Sequence, residues 1–339
     1  DLILGWNQLY RLTQNPKHLD SAESLARSLI RLGQNRAGYF YDSLWSKARL
    51  PLNKLIKPEI NGIFSEELVV LYELTNHADY LKAARSSLTY FFRHSLFQKR
   101  GMFPDGFLPY LMKPWKTDAR FMKTQTNMIY AALRFYATTQ EQEFADYAHQ
   151  ACSSISKYQQ DGGPFPHKVD VNTGKVSAPE ILLTQNFALV DVFLQAHFVL
   201  KDAAFGKVAK SCADWWLSYQ SPLGLIPESP LKKTTNKMDQ NSDFSVSLMK
   251  LAEVFEEPAY LMKAEKILQG LTQHHRANPN SVESSFAKSV DVNTGAITNY
   301  VNETKYLGGF LKALLALEER KAGISLVSNS INRDLYRDR

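Results

Sequence analysis

Five short phrases in the sequence end on residues whose side chains can exchange protons or bind charge. The phrases are GYFYD (38–42), GMFPD (101–105), GPFPH (163–167), GLIPE (224–228) and SSFAK (284–288). Their last residues recur about every 60 positions and are Asp42, Asp105, His167, Glu228 and Lys288. Carboxylate, imidazole and amine groups serve in acid–base catalysis and in binding charged ligands. The spacing therefore predicts a repeat architecture that displays one such group per repeat.

The elements that must position these residues are pairs of helices. Apolar residues recur at helical spacing over 2–14, stop before Pro16 and resume over 17–33. The same unit of two helices returns at 66–92, 127–156, 187–217 and 244–271, and a sixth first helix covers 303–321. Each second helix carries an alanine where a neighbouring helix can approach closely, at Ala22, Ala83, Ala148, Ala209 and Ala264. We therefore expect an all-α chain built from helical hairpins.

Long connections separate the pairs, whereas the turns inside each pair are short. The connections run over 34–61, 95–119, 159–179, 220–239 and 276–301. Loops of this length in a compact domain usually carry function. Two of them contain the sequence VDVNTG, at 169–174 and 290–295, which predicts short β-hairpins with a bulged turn.

Helix pairs that repeat in this way form either an open solenoid or a closed ring of six pairs. The hairpins of the LYELTNHADYLKAA type, the GxFPD/H/E phrases and the long loops resemble the six-hairpin glycosidase and N-acylglucosamine 2-epimerase-like superfamily over essentially the whole chain. The resemblance implies a single (α/α)6 toroid domain over 1–339, with a substrate cleft at the long-loop end. The residues that end the phrases would then face one pocket.

Further candidates for binding a sugar lie in the long loops and at the starts of the inner helices. Amide and charged side chains there can bond hydroxyl groups, and loop aromatics can stack on sugar faces. These candidates are Tyr41, Trp115, Lys123, Gln125, Gln185, Asp239, Gln240 and Asp243, together with Asp42 and Lys288. Each class of candidate also has a structural role as an alternative to sugar binding. Asp is an ordinary helix cap, and most aromatic residues pack in protein cores. The residues that end the phrases can form ion pairs with loop lysines.

Three enzyme mechanisms fit such a cleft. Inverting glycoside hydrolysis needs two carboxyl groups about 6.5–9.5 Å apart, and Asp105 and Glu228 are the candidates. An epimerase would use two histidines, but only His167 ends a phrase, and His274 and His275 would reach the cleft only if their loop folds inward. A polysaccharide lyase would use His167, Lys288 and Tyr41.

The sequence favours the hydrolase, with His167 orienting the sugar beside the two carboxyl groups and Lys288 holding an acidic substituent. A helical-repeat scaffold that binds a glycan or peptide is the non-catalytic alternative. It would not need titratable residues at Asp105, His167 and Glu228, and this favours an enzyme.

Composition excludes several other classes. The net charge is +6 and the isoelectric point about 9.0, but Lys and Arg are scattered, which indicates a solubilising surface or a rim for an acidic ligand and no nucleic-acid partner. The sequence contains no run of 18 uninterrupted apolar residues, and it therefore predicts no membrane-spanning helix. Two helical cysteines and the absence of HExxH, Walker A and GxGxxG motifs predict no metal and no cofactor. Oligomeric state and compartment stay open, with an extracytoplasmic location favoured and a processed or trimmed N-terminus compatible with the helical start.

Overall fold

Paired α-helices make up most of the computed structural model, which describes residues 2–42, 44–45, 50–51, 55–108, 111, 113–275, 286–301 and 304–327. The helices in these ranges are α1 (Leu2–Thr13), α2 (Pro16–Ser28), α3 (Pro58–Thr75), α4 (Ala78–Phe92), α5 (Ser95–Arg100), α6 (Thr126–Thr139), α7 (Gln142–Ser156), α8 (Leu183–Leu200), α9 (Ala203–Leu217), α10 (Met238–Val254), α11 (Pro258–His274) and α12 (Thr304–Lys321). Short π-helical turns at Leu29–Gly33 and Phe121–Gln125 follow α2 and precede α6.

The helices fall into two compact units. In the described residues, the first unit comprises the chain up to Lys157 together with Lys168–Pro179, and the second comprises Tyr158–His167 and the chain from Glu180 onward. The single domain expected over 1–339 stays a prediction.

In the first unit, α1, α3 and α6 pack side by side, and each packs against the helix that follows it in the chain. Helix α3 is buried at seven consecutive positions, Ser65 to Leu71, so it is covered on all sides. Helix α4 instead buries one stripe, which includes Tyr80, Ala84 and Leu88. This stripe has the period of an amphipathic helix that faces a core with one side only.

The second unit repeats this arrangement with α8, α10 and α12 side by side, α9 against α8 and α11 against α10. Successive buried residues in α8, such as Leu189 and Val190, show that it too is covered on several faces. The five alanines expected at close helix contacts are buried in both units, namely Ala22, Ala83, Ala148, Ala209 and Ala264.

Helix α8 is also the one helix, in the part of the chain that the structure describes, that is long and apolar enough to cross a membrane. Of this segment, 67% is buried within the protein, as is usual for a helix in a protein core.

The turns inside three pairs are short because a residue in the left-handed region ends the first helix. Asn76, Gln140 and Lys201 have φ values of 61°, 60° and 59° after α3, α6 and α8. A left-handed residue at this position reverses the chain while the last helical carbonyls keep partners. The second helix of each pair therefore begins almost at once.

Short antiparallel strands occupy the long connections. They are β1 (Leu44–Trp45), β2 (Leu50–Pro51), β3 (Asp118–Arg120), β4 (Lys168–Asp170), β5 (Val176–Ala178), β6 (Phe286–Val290) and β7 (Ile297–Val301). Both VDVNTG segments form the expected hairpin turns, between β4 and β5 and between β6 and β7, with Gly174 and Gly295 at φ 74° and 72°. Asp170 and Asp291 close these turns by accepting backbone N–H groups. The pKa of Asp170 is lowered first by the Thr117 hydroxyl and then by the Thr173 N–H, and that of Asp291 by the Thr294 and Asn293 N–H groups.

Candidate active site

Four of the five phrases are anchored in the same way, by a carboxamide side chain at the start of the first helix of a pair. The amide oxygen accepts the backbone N–H of the third phrase residue, and the amide nitrogen donates to the carbonyl oxygen of that same residue. The pairs are Asn61 with Phe40 (2.6 and 3.1 Å), Gln125 with Phe103 (3.0 and 2.6 Å), Asn186 with Phe165 (2.7 and 3.2 Å) and Asn241 with Ile226 (2.8 and 2.9 Å). We call each pair a carboxamide clamp. The clamp fixes the backbone two residues before the end of the phrase.

Gln125 thus has a different environment from the sugar-facing one expected from the sequence. Both ends of its carboxamide are bonded to Phe103, and the side chain is buried. The anchoring role of Asn61, Asn186 and Asn241 was not expected. Each of these asparagines is the fourth residue of its helix, and this position is the sequence signal that marks the role. Each also donates a hydrogen bond to the carbonyl four residues back.

In the described part of the first unit, Asp105 belongs to a group of four charged side chains, whereas the other phrase end, Asp42, has one ion pair. Its Oδ1 accepts hydrogen bonds from the Arg120 backbone N–H (3.1 Å) and the Thr124 hydroxyl (3.1 Å). Its Oδ2 accepts one from Arg120 Nε (2.9 Å). Three donors therefore hold this carboxylate in one orientation at the start of α6.

A second carboxylate, which the sequence did not single out, faces the same guanidinium. Glu59 lies in the first turn of α3, with Oε2 3.8 Å from Arg120 Nη2 and Oε1 4.0 Å from Lys123 Nζ. We call Glu59, Asp105, Arg120 and Lys123 the Arg120 cluster. It contains two anions and two cations, and the Glu59 side chain is 17% exposed against 54% for Lys123.

Two backbone features bring the Arg120 cluster together. Gly62, one turn after Glu59, lets α3 approach α6 so closely that a Cβ there would lie 2.7 Å from the Asn127 carbonyl carbon. Lys123 has φ 69° and ψ −66°, which is γ-turn geometry that a residue with a side chain rarely adopts. Its N–H donates to the Thr126 hydroxyl at 3.0 Å. Strained backbone of this kind concentrates at functional sites.

The aromatic candidates of the first unit differ in exposure. Trp115 lies beside the phrase that ends at Asp105, because its N–H donates to the Gly106 carbonyl at 3.0 Å. Its side chain is 51% exposed, with the Lys116 ammonium 4.6 Å from the ring centroid. Tyr41 is half-buried with its ring edge-on to Tyr39.

Asp42 forms an ion pair with Lys57 at 2.8 Å. Lys57 is the residue before α3 and lies two positions ahead of Glu59. This is the pairing with a loop lysine that the sequence allowed as an alternative to a ligand contact.

In the second unit, Glu228 is surrounded by lysines. It forms an ion pair with Lys237, and Lys232 Nζ lies 3.9 Å from its Oε2. Its backbone N–H donates to Thr235 (2.7 Å) and its carbonyl accepts from Leu183 at the start of α8 (2.9 Å). The Glu228 side chain is 14% exposed, so a ligand would have to displace or join these ammonium groups.

The remaining candidates of the second unit lie near the starts of α8 and α10 or in β6. Gln185 and Gln240 are buried, whereas Asp239, Asp243 and Lys288 are half-buried. The Gln240 Oε1 is buried and accepts no hydrogen bond from the described residues. A buried acceptor of this kind calls for a donor from water or a ligand. His167 is half-buried two residues after the clamped Phe165.

His275 has a structural role that differs from the one considered for an epimerase. It is buried, its Nδ1–H donates to the Ala287 carbonyl (2.7 Å), and its Nε2 accepts from the Asn236 amide (3.1 Å). Burial lowers its pKa to about 4. His275 therefore fastens β6 to the loop before α10 as a neutral ring, and both of its nitrogens are occupied.

Among the described residues of the first unit, two surface hollows are lined by no candidate residue. One, of about 850 Å³, runs between α2 and α4, and the other, of about 460 Å³, lies beside Tyr90 and His94. In the described part of the chain, no group of three or more His, Cys, Asp or Glu side chains is placed to hold a metal ion.

The sequence matches no protein-family model and no curated protein. Solved structures do match. Cellobiose 2-epimerase from Bacillus thermoamylovorans aligns with a TM-score of 0.74 at 11% identity, over 94% of this chain and 86% of that one. Unsaturated glucuronyl hydrolase from Bacillus sp. GL1 gives 0.66 at 11% identity, over 95% and 85%. The GH76 α-mannanase from Bacteroides thetaiotaomicron gives 0.64 at 13% identity, over 95% and 86%.

These alignments span nearly the whole chain, and at this level of identity they establish the fold. The chain has the (α/α)6 toroid fold that these solved structures share.

Proposed function

We propose that this protein is a carbohydrate-active enzyme, namely a glycoside hydrolase that acts on an oligo- or polysaccharide. The observation that carries the proposal is the Arg120 cluster, in which a phrase-end carboxylate, a second carboxylate and two cations meet. The exposed Trp115 is bonded through its backbone N–H to Gly106, the residue after that phrase. Carboxylates and an aromatic face are the groups that glycoside hydrolysis and sugar binding require. The fold is shared with enzymes named for acting on sugars.

Asp105 of the first unit is one proposed catalytic carboxylate. In the second unit, Glu228 is the other, and His167, Gln185 and Gln240 are proposed to orient the sugar. The lysines around Glu228 favour a substrate that carries its own carboxylate, because such a group would exchange one ion pair for another. The free Gln240 oxygen suits a sugar hydroxyl as its missing donor.

Epimerisation of a sugar is the second candidate, favoured by the TM-score of 0.74 with cellobiose 2-epimerase. Proton removal and return on opposite faces of one carbon needs two bases. His275 is occupied by Ala287 and Asn236, and the His274 ring lies against Gly295 in the turn between β6 and β7. His167 is therefore the remaining histidine candidate, and a single histidine does not supply two bases. This makes hydrolysis the better-supported reaction.

The test is incubation of the purified protein with a panel of neutral and uronic-acid oligosaccharides. Hydrolysis releases new reducing ends, epimerisation inverts one carbon without releasing any, and a lyase leaves a carbon–carbon double bond that absorbs ultraviolet light. Melting temperature is measured with each saccharide, because a ligand that binds the folded state raises it. If no saccharide is converted and none raises the melting temperature, the proposal is wrong.

A further inference from the structure

The two carboxylates of the Arg120 cluster differ in how many of their lone pairs are already used. Asp105 accepts three hydrogen bonds within the protein, from the Arg120 backbone, Arg120 Nε and Thr124. Glu59 accepts none from the described residues and has only ion contacts at 3.8 and 4.0 Å. These contacts are longer than hydrogen bonds. Glu59 thus has oxygen lone pairs for a ligand or a water molecule, whereas Asp105 is largely occupied.

We propose that Glu59 is the general base of the Arg120 cluster and that Asp105 is a positioning residue that acts through Arg120. The inference rests on the proposed function, a glycoside hydrolase, and changes which residue exchanges the proton. Asp105 holds Arg120 by Nε, and this directs Nη2 of the same guanidinium toward Glu59. The flanking cations suit a carboxylate that works in its charged form.

The proton balance of an inverting step follows from this assignment. Glu59 takes a proton from a water molecule whose oxygen forms the new bond to the anomeric carbon. The bond between that carbon and the leaving oxygen breaks, and the leaving oxygen takes a proton from the general acid. Glu59 then releases its proton to solvent, and the general acid takes one up, so one water is consumed per bond.

The backbone supports a site tuned for this purpose. Lys123 keeps its ammonium near Glu59 from a backbone conformation that disfavours any residue with a Cβ. Gly62 lets the helix that carries Glu59 pack directly on the one that follows Lys123. The strained backbone of Lys123 and the glycine at position 62 therefore both help to place Glu59 beside its cationic neighbours.

The experiment measures kcat/KM against pH, on a saccharide that the wild-type protein converts, for Glu59→Gln and Asp105→Asn. A lost general base lowers the rate by about 100- to 10,000-fold, so we expect this for Glu59→Gln together with loss of the acidic limb of the pH profile. Asp105→Asn should lower the rate by about 10- to 100-fold through misplacement and should keep the acidic limb. The charged groups that face Glu59 are Arg120 and Lys123, with Asp105 beyond Arg120.

Added formate, a small external carboxylate, should restore part of the rate to Glu59→Ala and none to Asp105→Ala. Glu141→Gln is the matched control, since Glu141 is an ion-paired carboxylate of the same unit that pairs with Arg85 away from the cluster. It should leave the rate unchanged. Melting temperatures identify any variant that is poorly folded, in which case Glu59→Asp, which keeps the carboxylate, should retain more activity than Glu59→Gln.

Two negative results remain distinguishable. If the wild-type protein neither binds nor converts any saccharide, the proposed function fails and the role of Glu59 fails with it. If the wild-type protein converts a saccharide and Glu59→Gln matches Glu141→Gln in rate and pH profile, only the assignment of Glu59 is overturned.

Discussion

The carboxamide clamps and the anchor of the fifth phrase solve the same problem with different chemistry. Asn61, Gln125, Asn186 and Asn241 each bond both backbone groups of one phrase residue. The fifth phrase is held at Ala287 by the imidazole of His275, whose other nitrogen is bonded to Asn236. A carboxamide carries both a donor and an acceptor at every pH, whereas a neutral imidazole keeps this pattern only until it binds a proton. The clamped phrases should therefore be insensitive to acid, and the fifth phrase should not be.

Removing a clamp should have the largest effect on stability. Asn241→Ala removes the hydrogen bonds to the buried N–H and carbonyl of Ile226 and leaves both groups without these partners. Each unsatisfied buried group costs about 1–3 kcal/mol, so we expect a loss of about 2–5 kcal/mol, measured by urea unfolding and nearly constant between pH 5 and 8. The control is Asn299→Ala at an exposed position of β7, which should change stability by less than about 0.5 kcal/mol. Equal, small losses for both variants would show that the clamp contributes little.

Protonation of His275 should have the next largest effect, confined to acid. Its pKa is about 4 in the folded protein against 6.5 for the free side chain. Between these values the unfolded chain binds a proton that the folded protein does not, so stability is full above about pH 6.5 and falls as pH decreases toward 4. The complete loss is about 3 kcal/mol. A protonated ring would also point a second N–H at the Asn236 amide, which is itself a donor here.

The measurement compares urea midpoints at pH 7 and pH 4.5 for wild type, His275→Gln and His149→Gln. His275→Gln should be less stable at pH 7 and should lose less on acidification. His149 lies exposed on α7, so its variant should follow wild type at both pH values. An acid-induced loss of the same size in His275→Gln and in wild type would contradict the assignment.

Much of the fold follows from local sequence patterns, because helical periodicity, short turns and the VDVNTG segments act over a few residues. The spacing of the phrases also singles out their last residues as site candidates, and of these Asp105 lies in a charged cluster. The sequence does not predict the clamp residues, because two amides stand next to each other at these helix starts, Gln185 beside Asn186 and Gln240 beside Asn241. Which of two adjacent amides faces a phrase depends on the register of the helix start. Glu59 was missed for a similar reason, because its contact with Arg120 joins segments about 60 residues apart and depends on the backbone at Lys123.

The smallest effect tests whether the clamps depend on helix spacing as well as on their hydrogen bonds. Gly62 follows the clamp residue Asn61. A Cβ there would come within 2.7–2.8 Å of the Asn127 and Met128 backbone, two and three residues beyond the clamp residue Gln125. Gly62→Ala should push α3 and α6 apart and cost about 1–3 kcal/mol, reduced by about 1 kcal/mol because alanine favours a helix. Gly5→Ala in α1 meets no atom within 4 Å and should be neutral or stabilising.

Hydrogen exchange at the N–H groups of Phe40 and Phe103 should rise in Gly62→Ala while that of Phe165 stays unchanged. A uniform rise at all three would mean that the substitution lowers global stability without acting on the two neighbouring clamps, and the link between helix spacing and clamp geometry would then be wrong.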